Sequence, residues 1–157
     1  MLFRSPELTQ IQQDYLTDRY VLPQPRVRML ETLQEFASAS MDISDGLVGD
    51  LEKFCMASEV AAHINVSDIP FSNAAAAATA IESTYLETAL TGGDDYEILF
   101  TVPQGRVSEL EDRTKSLPFP VTGIGKVQAG KGISLFDSHG HAMRFKQKSY
   151  DHGAALK

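Results

Sequence analysis

Cysteine is nearly absent from this chain: there is one, Cys55, in 157 residues. A lone thiol forms no internal disulfide and no zinc-spaced cysteine set. Its place on the apolar face of an expected helix marks it as a buried structural residue in a reduced compartment rather than a nucleophile. Basic residues are also few, 14 Lys and Arg against 21 Asp and Glu, which leaves a net charge of -7 and a pI near 5.0. Binding a nucleic-acid backbone or an acidic membrane needs clustered cations, so neither is expected as the main partner. Nucleotides carried by metal ions remain compatible with that charge. No run approaches the ~18 apolar residues of a membrane span, and no apolar run of signal-peptide length follows Arg4, so a soluble, cytoplasmic protein is expected. No GxSxG elbow is present. With 43% hydrophobic residues, the chain has enough for one domain with a real core and is too short for two.

The most informative stretch is Met41-Asp42-Ile43-Ser44-Asp45-Gly46-Leu47. Over residues 39–44 the pattern has period two, with Met41 and Ile43 on one face of a strand and Ser40, Asp42 and Ser44 on the other. From Leu47 the period becomes helical: Leu47, Leu51, Phe54, Cys55 and Ser58 share one face. Ser44 or Asp45 is placed to cap this helix, with Gly46 relieving the turn. The same corner offers unpaired helix N–H groups suited to a phosphate and clustered oxygens suited to a hard cation such as magnesium. Capping and ligand binding both account for these residues at this point.

A second stretch, Gly92-Gly93-Asp94-Asp95-Tyr96-Glu97, follows an expected helix over residues 83–90. Its two glycines allow a tight turn, and adjacent acids ahead of an apolar strand are unusual unless a cation or donor meets them. Gly123-Ile124-Gly125-Lys126 is neither a dinucleotide fingerprint nor a Walker loop, because Gln128, Pro120 and Val127 stand where glycine or a hydroxyl is required. These glycines instead suggest close backbone approach in a strand. His63 is read as structural. Asp137, His139 and His141 are possible metal ligands, but alternating residues in a short hairpin turn are usually solvated.

Elsewhere, Ser5 and Pro6 suggest a helix over 6–18 with a thin apolar face of Leu8, Ile11, Tyr15 and Leu16. Residues 20–25 should be extended, and Pro25 should open a helix through Phe36 with Val27, Leu30, Leu33 and Phe36 in its buried stripe. Strands are expected at 60–66, 96–102 (interior, beside the Asp42 strand), 121–127, 133–136 and 142–145. Helices are expected at 72–81 and 105–117. Strands and helices intermix without a strict βαβ repeat, which points to an α+β layered domain with a mixed sheet covered by helices.

The strings DISDGL, LTGGDDYEILF, TGIGKV and SYDH occur in that order, and with them the chain resembles the C-terminal half of thiamine-monophosphate kinases, from about Arg19 to His152. The resemblance implies an AIR synthase-like C-terminal domain at 21–157, preceded by a helical interdomain segment at 1–20, with the family's N-terminal ATP-binding domain absent. It implies magnesium at Asp42 and Asp45, ATP at Ser44, and thiamine monophosphate at Asp94 and Tyr150. It also implies a homodimer for the full-length family. Gly153 replaces the family's usual aromatic after Tyr-Asp-His, and Asp94 replaces a frequent Glu. The other readings are a related ATP-dependent AIR or selenophosphate synthetase, and a non-catalytic binding or assembly module.

Overall fold

The computed structural model describes residues 7–93 and 96–145. Helix α3 (Leu47–Ser58) is the centre of the packing. Its buried residues include Leu47, Leu51, Phe54 and Cys55 at the expected helical spacing, while Ser58, predicted inward, is exposed. Each fully buried Leu or Phe contributes about 1.5–3 kcal/mol relative to exposure. Against this face lie Ile43, Ala62, Ile64, Leu90, Leu99 and Leu135.

Two sheets meet that core. One is a four-stranded mixed sheet in the order β4 (Gly125–Ala129), β2 (Val60–Asn65), β5 (Gly132–Phe136), β6 (Ala142–Met143). Strand β2 runs antiparallel to β4 and parallel to β5, and β6 runs antiparallel to β5. In β2, Ala62 and Ile64 point inward and His63 outward, where its Nε2 lies 3.2 Å from Gln128 Nε2. The close approach expected of the later glycines occurs at Gly125, where a Cβ would meet the His63 carbonyl oxygen at 2.1 Å. The second sheet pairs β1 (Ala39–Ile43) with β3 (Glu97–Thr101), antiparallel, Asp42 opposite Ile98. Helices α4 (Asn73–Ile81), capped by Ser72, and α5 (Thr84–Thr91) complete the layer around α3. The α+β layered architecture with a mixed sheet is therefore as expected.

Several local expectations are corrected. The first helix, α1, runs Gln10–Val21 because Thr9 and Gln12 form a reciprocal capping box. Ser5 and Pro6, expected to start it, lie outside the described residues. The segment expected to be extended from residue 20 thus begins as helix. Helix α1 buries none of its own residues; Leu8, just before it, is buried. After Pro25 the chain makes a 3-10 turn, Val27–Met29, then α2 (Leu30–Phe36). Met29, Thr32 and Phe36 face inward, whereas Val27 is 79% and Leu30 60% exposed. Phe36 is buried as expected, and its ring takes the Arg106 guanidinium at 4.2 Å. Strand β3, expected to be interior, pairs with β1 alone among the described strands, and only Leu99 is fully buried. Residues 121–124 are irregular, and every residue of the edge strand β4 is exposed. Helix α6 (Val107–Thr114), preceded by a 3-10 turn at Gln104–Arg106, turns Leu110 and Thr114 inward.

Cys55 is 1% exposed, and burial pushes its thiol pKa up. Ellman's reagent is expected to label it at least ~100-fold more slowly in the native chain than in urea, since access requires opening of α3. Equal rates in the two conditions would contradict the burial.

Candidate functional site

The corner between β1 and α3 is held by a residue that the pattern did not single out. Gly46, at φ +99°, stands at the helix N-cap, and no side chain caps the first turn. Neither Ser44 nor Asp45 fills the expected capping role. Instead Asp50, 1% exposed, reaches back from α3. Its Oδ2 accepts the backbone N–H of Ser44 at 2.8 Å and of Asp45 at 2.9 Å. Its Oδ1 accepts from Lys53 Nζ at 2.8 Å, and the same ammonium donates to Asp45 Oδ2 at 2.6 Å. Burial alone would push the Asp50 carboxyl up, but Lys53 and the two amides outweigh it and leave its pKa below the ordinary 3.8. The two carboxylates in turn raise the pKa of Lys53.

The two stretches that stood out in the sequence meet here through their backbones. A Cβ at Gly46 would lie 2.6 Å from the Thr91 carbonyl carbon, and one at Gly93 would lie 2.6 Å from the Ser44 carbonyl oxygen. Gly46 and Gly93 let the strand-to-helix corner and the post-α5 turn approach as no other residues could. Asp94 and Tyr150, expected as substrate contacts, lie outside the described residues.

On the outward face of β1, Asp42 and Ser44 are exposed while Ile43 is buried, as the alternation predicted. Both open onto a cavity of about 420 Å³ whose lining also includes Arg26, Leu30, Tyr96 and Glu97. Arg26 grips Glu97 through a two-pronged ion pair, Nε to Oε2 at 2.8 Å and Nη2 to Oε1, and lies 4.8 Å from the Phe119 ring centre. Val27, Leu30 and Leu33, expected in the core, line this cavity instead. Tyr96, at φ +54°, holds a left-handed conformation costing about 1 kcal/mol or more for a non-glycine residue. Such strain concentrates at binding sites.

Asp45 turns toward Lys53 rather than into this cavity. The corner nonetheless suits positive charge, because an ammonium already sits between the Asp45 and Asp50 carboxylates. Exposed Asp42 and half-buried Asp45 are hard oxygen donors of the kind magnesium takes. Asp50 has both oxygens engaged. Among the described residues, Asp42, Asp45 and Asp50 do not form a group of three acids gathered closely enough to hold an ion by themselves. Sequence pattern missed Arg26, Asp50, Lys53 and Glu97. Only Asp50 left a local signal, an acid three residues after Leu47 on the buried face of α3.

A helix-covered mixed sheet with this strand-to-helix corner belongs to the AIR synthase-like class of α+β domains. No protein-family model matches the chain. Thiamine-monophosphate kinase from Escherichia coli (strain K12) is 36% identical over 141 residues, 90% of this chain and 43% of the relative. A crystal structure of thiamine-monophosphate kinase from Stenotrophomonas maltophilia K279a superposes with TM-score 0.74 at 34% identity, over 87% of this chain and 42% of that one. The structure of AaThiL complexed with AMPPCP and TMP gives TM-score 0.72 at 30% identity, over 92% and 44%. Within its class, the chain is homologous to the C-terminal half of the thiamine-monophosphate kinases and spans less than half the length of those relatives. Among the described residues no helix is long and apolar enough to cross a membrane.

Proposed function

We propose that this chain is the substrate- and metal-binding half of a cytoplasmic thiamine-monophosphate kinase, an enzyme that moves the γ-phosphoryl group of ATP onto the phosphate of thiamine monophosphate. The observation that carries this reading is the backbone contact of the Gly46 corner with the Gly92-Gly93 turn beside the Asp42 cavity. It puts the end of β1 next to the turn that leads to Asp94. The acceptor is a phosphate oxygen, already anionic at neutral pH, so the residues need to position rather than to deprotonate. Asp42 and Asp45 would hold magnesium, which supplies neutralisation of the repulsion between donor and acceptor phosphates. Ser44 orients the ATP phosphates, and Asp94 and Tyr150 contact the thiamine phosphate. Arg26 and Glu97 set the cavity wall. Residues 1–20 are the segment that leads from an N-terminal ATP-binding half, with the domain proper at 21–157, and the assembled enzyme is a homodimer.

This half supplies too few ligands to hold ATP for turnover, so the purified chain is expected to form no thiamine diphosphate in a coupled assay. Robust turnover would overturn that expectation. The exposed Val27 and Leu30 at the cavity favour a second reading, a binding or assembly module without catalysis. Calorimetry separates the two: the kinase half should bind Mg-ATP or thiamine monophosphate measurably, and an assembly module should bind neither.

A further inference from the structure

The turn between β5 and β6 brings together two imidazoles and a carboxylate that the proposed kinase chemistry does not use. The backbone closes through Asp137 N–H to the His141 carbonyl and Gly140 N–H to the Asp137 carbonyl, both at 3.0 Å. Gly140 at φ +78° reverses the chain within the turn. Residues two apart on a strand stay on one face, but in a short turn they usually splay into solvent. Here the His139 and His141 rings stack instead, with centres 5.9 Å apart and planes 23° from parallel. Asp137 is fixed beneath them. Its Oδ1 accepts the N–H of His139 at 2.8 Å and of His141 at 2.9 Å, leaving Oδ2 3.1 Å from His141 Nδ1. One ligand atom from each of the three side chains comes within 4.8 Å of the others.

We propose that Asp137, His139 and His141 form a binding site for a borderline transition-metal cation, of which Zn²⁺ is the representative. Two imidazole nitrogens and one carboxylate oxygen form a set that suits zinc, copper or nickel, whereas magnesium prefers oxygen alone. Metal–ligand bonds of about 2.1 Å in a tetrahedral site put ligand atoms roughly 3.4 Å apart. The exposed imidazoles can close that gap by rotating about their side-chain bonds, while the carboxylate stays where the backbone amides hold it. Three protein ligands leave a fourth position to water. Bound there, the ion ties the β5–β6 hairpin together at the end of the sheet away from β4, on a turn separate from the Asp42 corner.

Titration of the whole metal-free chain with Zn²⁺, followed by calorimetry and by histidine ring NMR signals, tests the site. The expected result is one equivalent bound with a dissociation constant on the order of micromolar, with the His139 and His141 signals shifting and His63 unmoved. His139→Ala and His141→Ala should each weaken binding about tenfold or more, and the double variant should abolish it. Asp137→Asn keeps an oxygen to accept the two turn amides but removes the anionic ligand, so it should weaken zinc while leaving the amide spectrum of the fold unchanged. Absence of saturable binding, full affinity in the double variant, or an equal response of both histidines to Mg²⁺ would each overturn the assignment.

Discussion

Asp42→Ala, in this chain reunited with the N-terminal half of a thiamine-monophosphate kinase, is expected to lower turnover by roughly 100-fold or more, the scale set by losing one electrostatic contact to a phosphoryl transition state. Stability should scarcely change. The Asp42 side chain lies exposed on the outward face of β1 and makes no hydrogen bond or ion pair among the described residues. Surface substitutions of that kind stay within about 0.5 kcal/mol. Ser40→Ala, on the same face two residues earlier, serves as the comparison and should retain near-normal turnover. Steady-state rates and urea midpoints, measured on the same preparations, separate a catalytic from a structural role. Near-normal turnover in Asp42→Ala would remove the metal-ligand role, and a large drop in midpoint would show that Asp42 is structural.

The parts of this fold that the sequence disclosed are those whose periodicity answers to one partner surface. Strand β1 presents a single buried face, and Leu47, Leu51, Phe54 and Cys55 of α3 are buried at the expected spacing, although the first turn of that helix is buried on all sides. The pairing of β1 with β3 was also legible, because each leads into or out of a glycine-bearing turn. Around α2 the pattern misleads, because Val27, Leu30 and Leu33 are more apolar than Met29 and Thr32, the residues that turn inward beside Phe36. A local pattern does not say which of two stripes meets the protein and which meets a cavity. The Arg26–Glu97 pair joins residues 71 apart, so no window of sequence holds both. Ser44 and Asp45 invited a capping role since their side chains suit it. The buried carboxylate of Asp50 took over the amides of the corner, a role that depends on how α3 folds back toward β1. His139 and His141 are solvated as their turn suggests, but their stacking over Asp137 is a geometry that spacing alone does not give.

Asp50→Ala should be the most destabilising single change at the corner, by about 2–4 kcal/mol, because it leaves two part-buried amides without their acceptor and removes the carboxylate that anchors Lys53. Against a total stability of about 5–15 kcal/mol, that is enough to bring the variant close to unfolding near body temperature. Asp50→Asn keeps an acceptor for the amides but loses the charge, and should cost less, about 1–3 kcal/mol. Lys53→Met should cost still less, about 1 kcal/mol at most, since that side chain is 55% exposed and water screens the pair. The order Ala, then Asn, then Met separates amide anchoring from ion pairing. A pH series separates them again. The folded Asp50 has a pKa below its ordinary 3.8, so its contribution is present above 3.8 and is lost as pH falls from there through the lower folded value. In Lys53→Met that folded value rises toward 3.8, so this contribution shrinks at neutral pH and its remaining loss on acidification occurs at higher pH. If urea midpoints show Asp50→Ala as stable as the parent chain across that range, the corner is held by something other than this carboxylate. In that case Ser44 and Asp45 owe their positions to the glycine contacts alone.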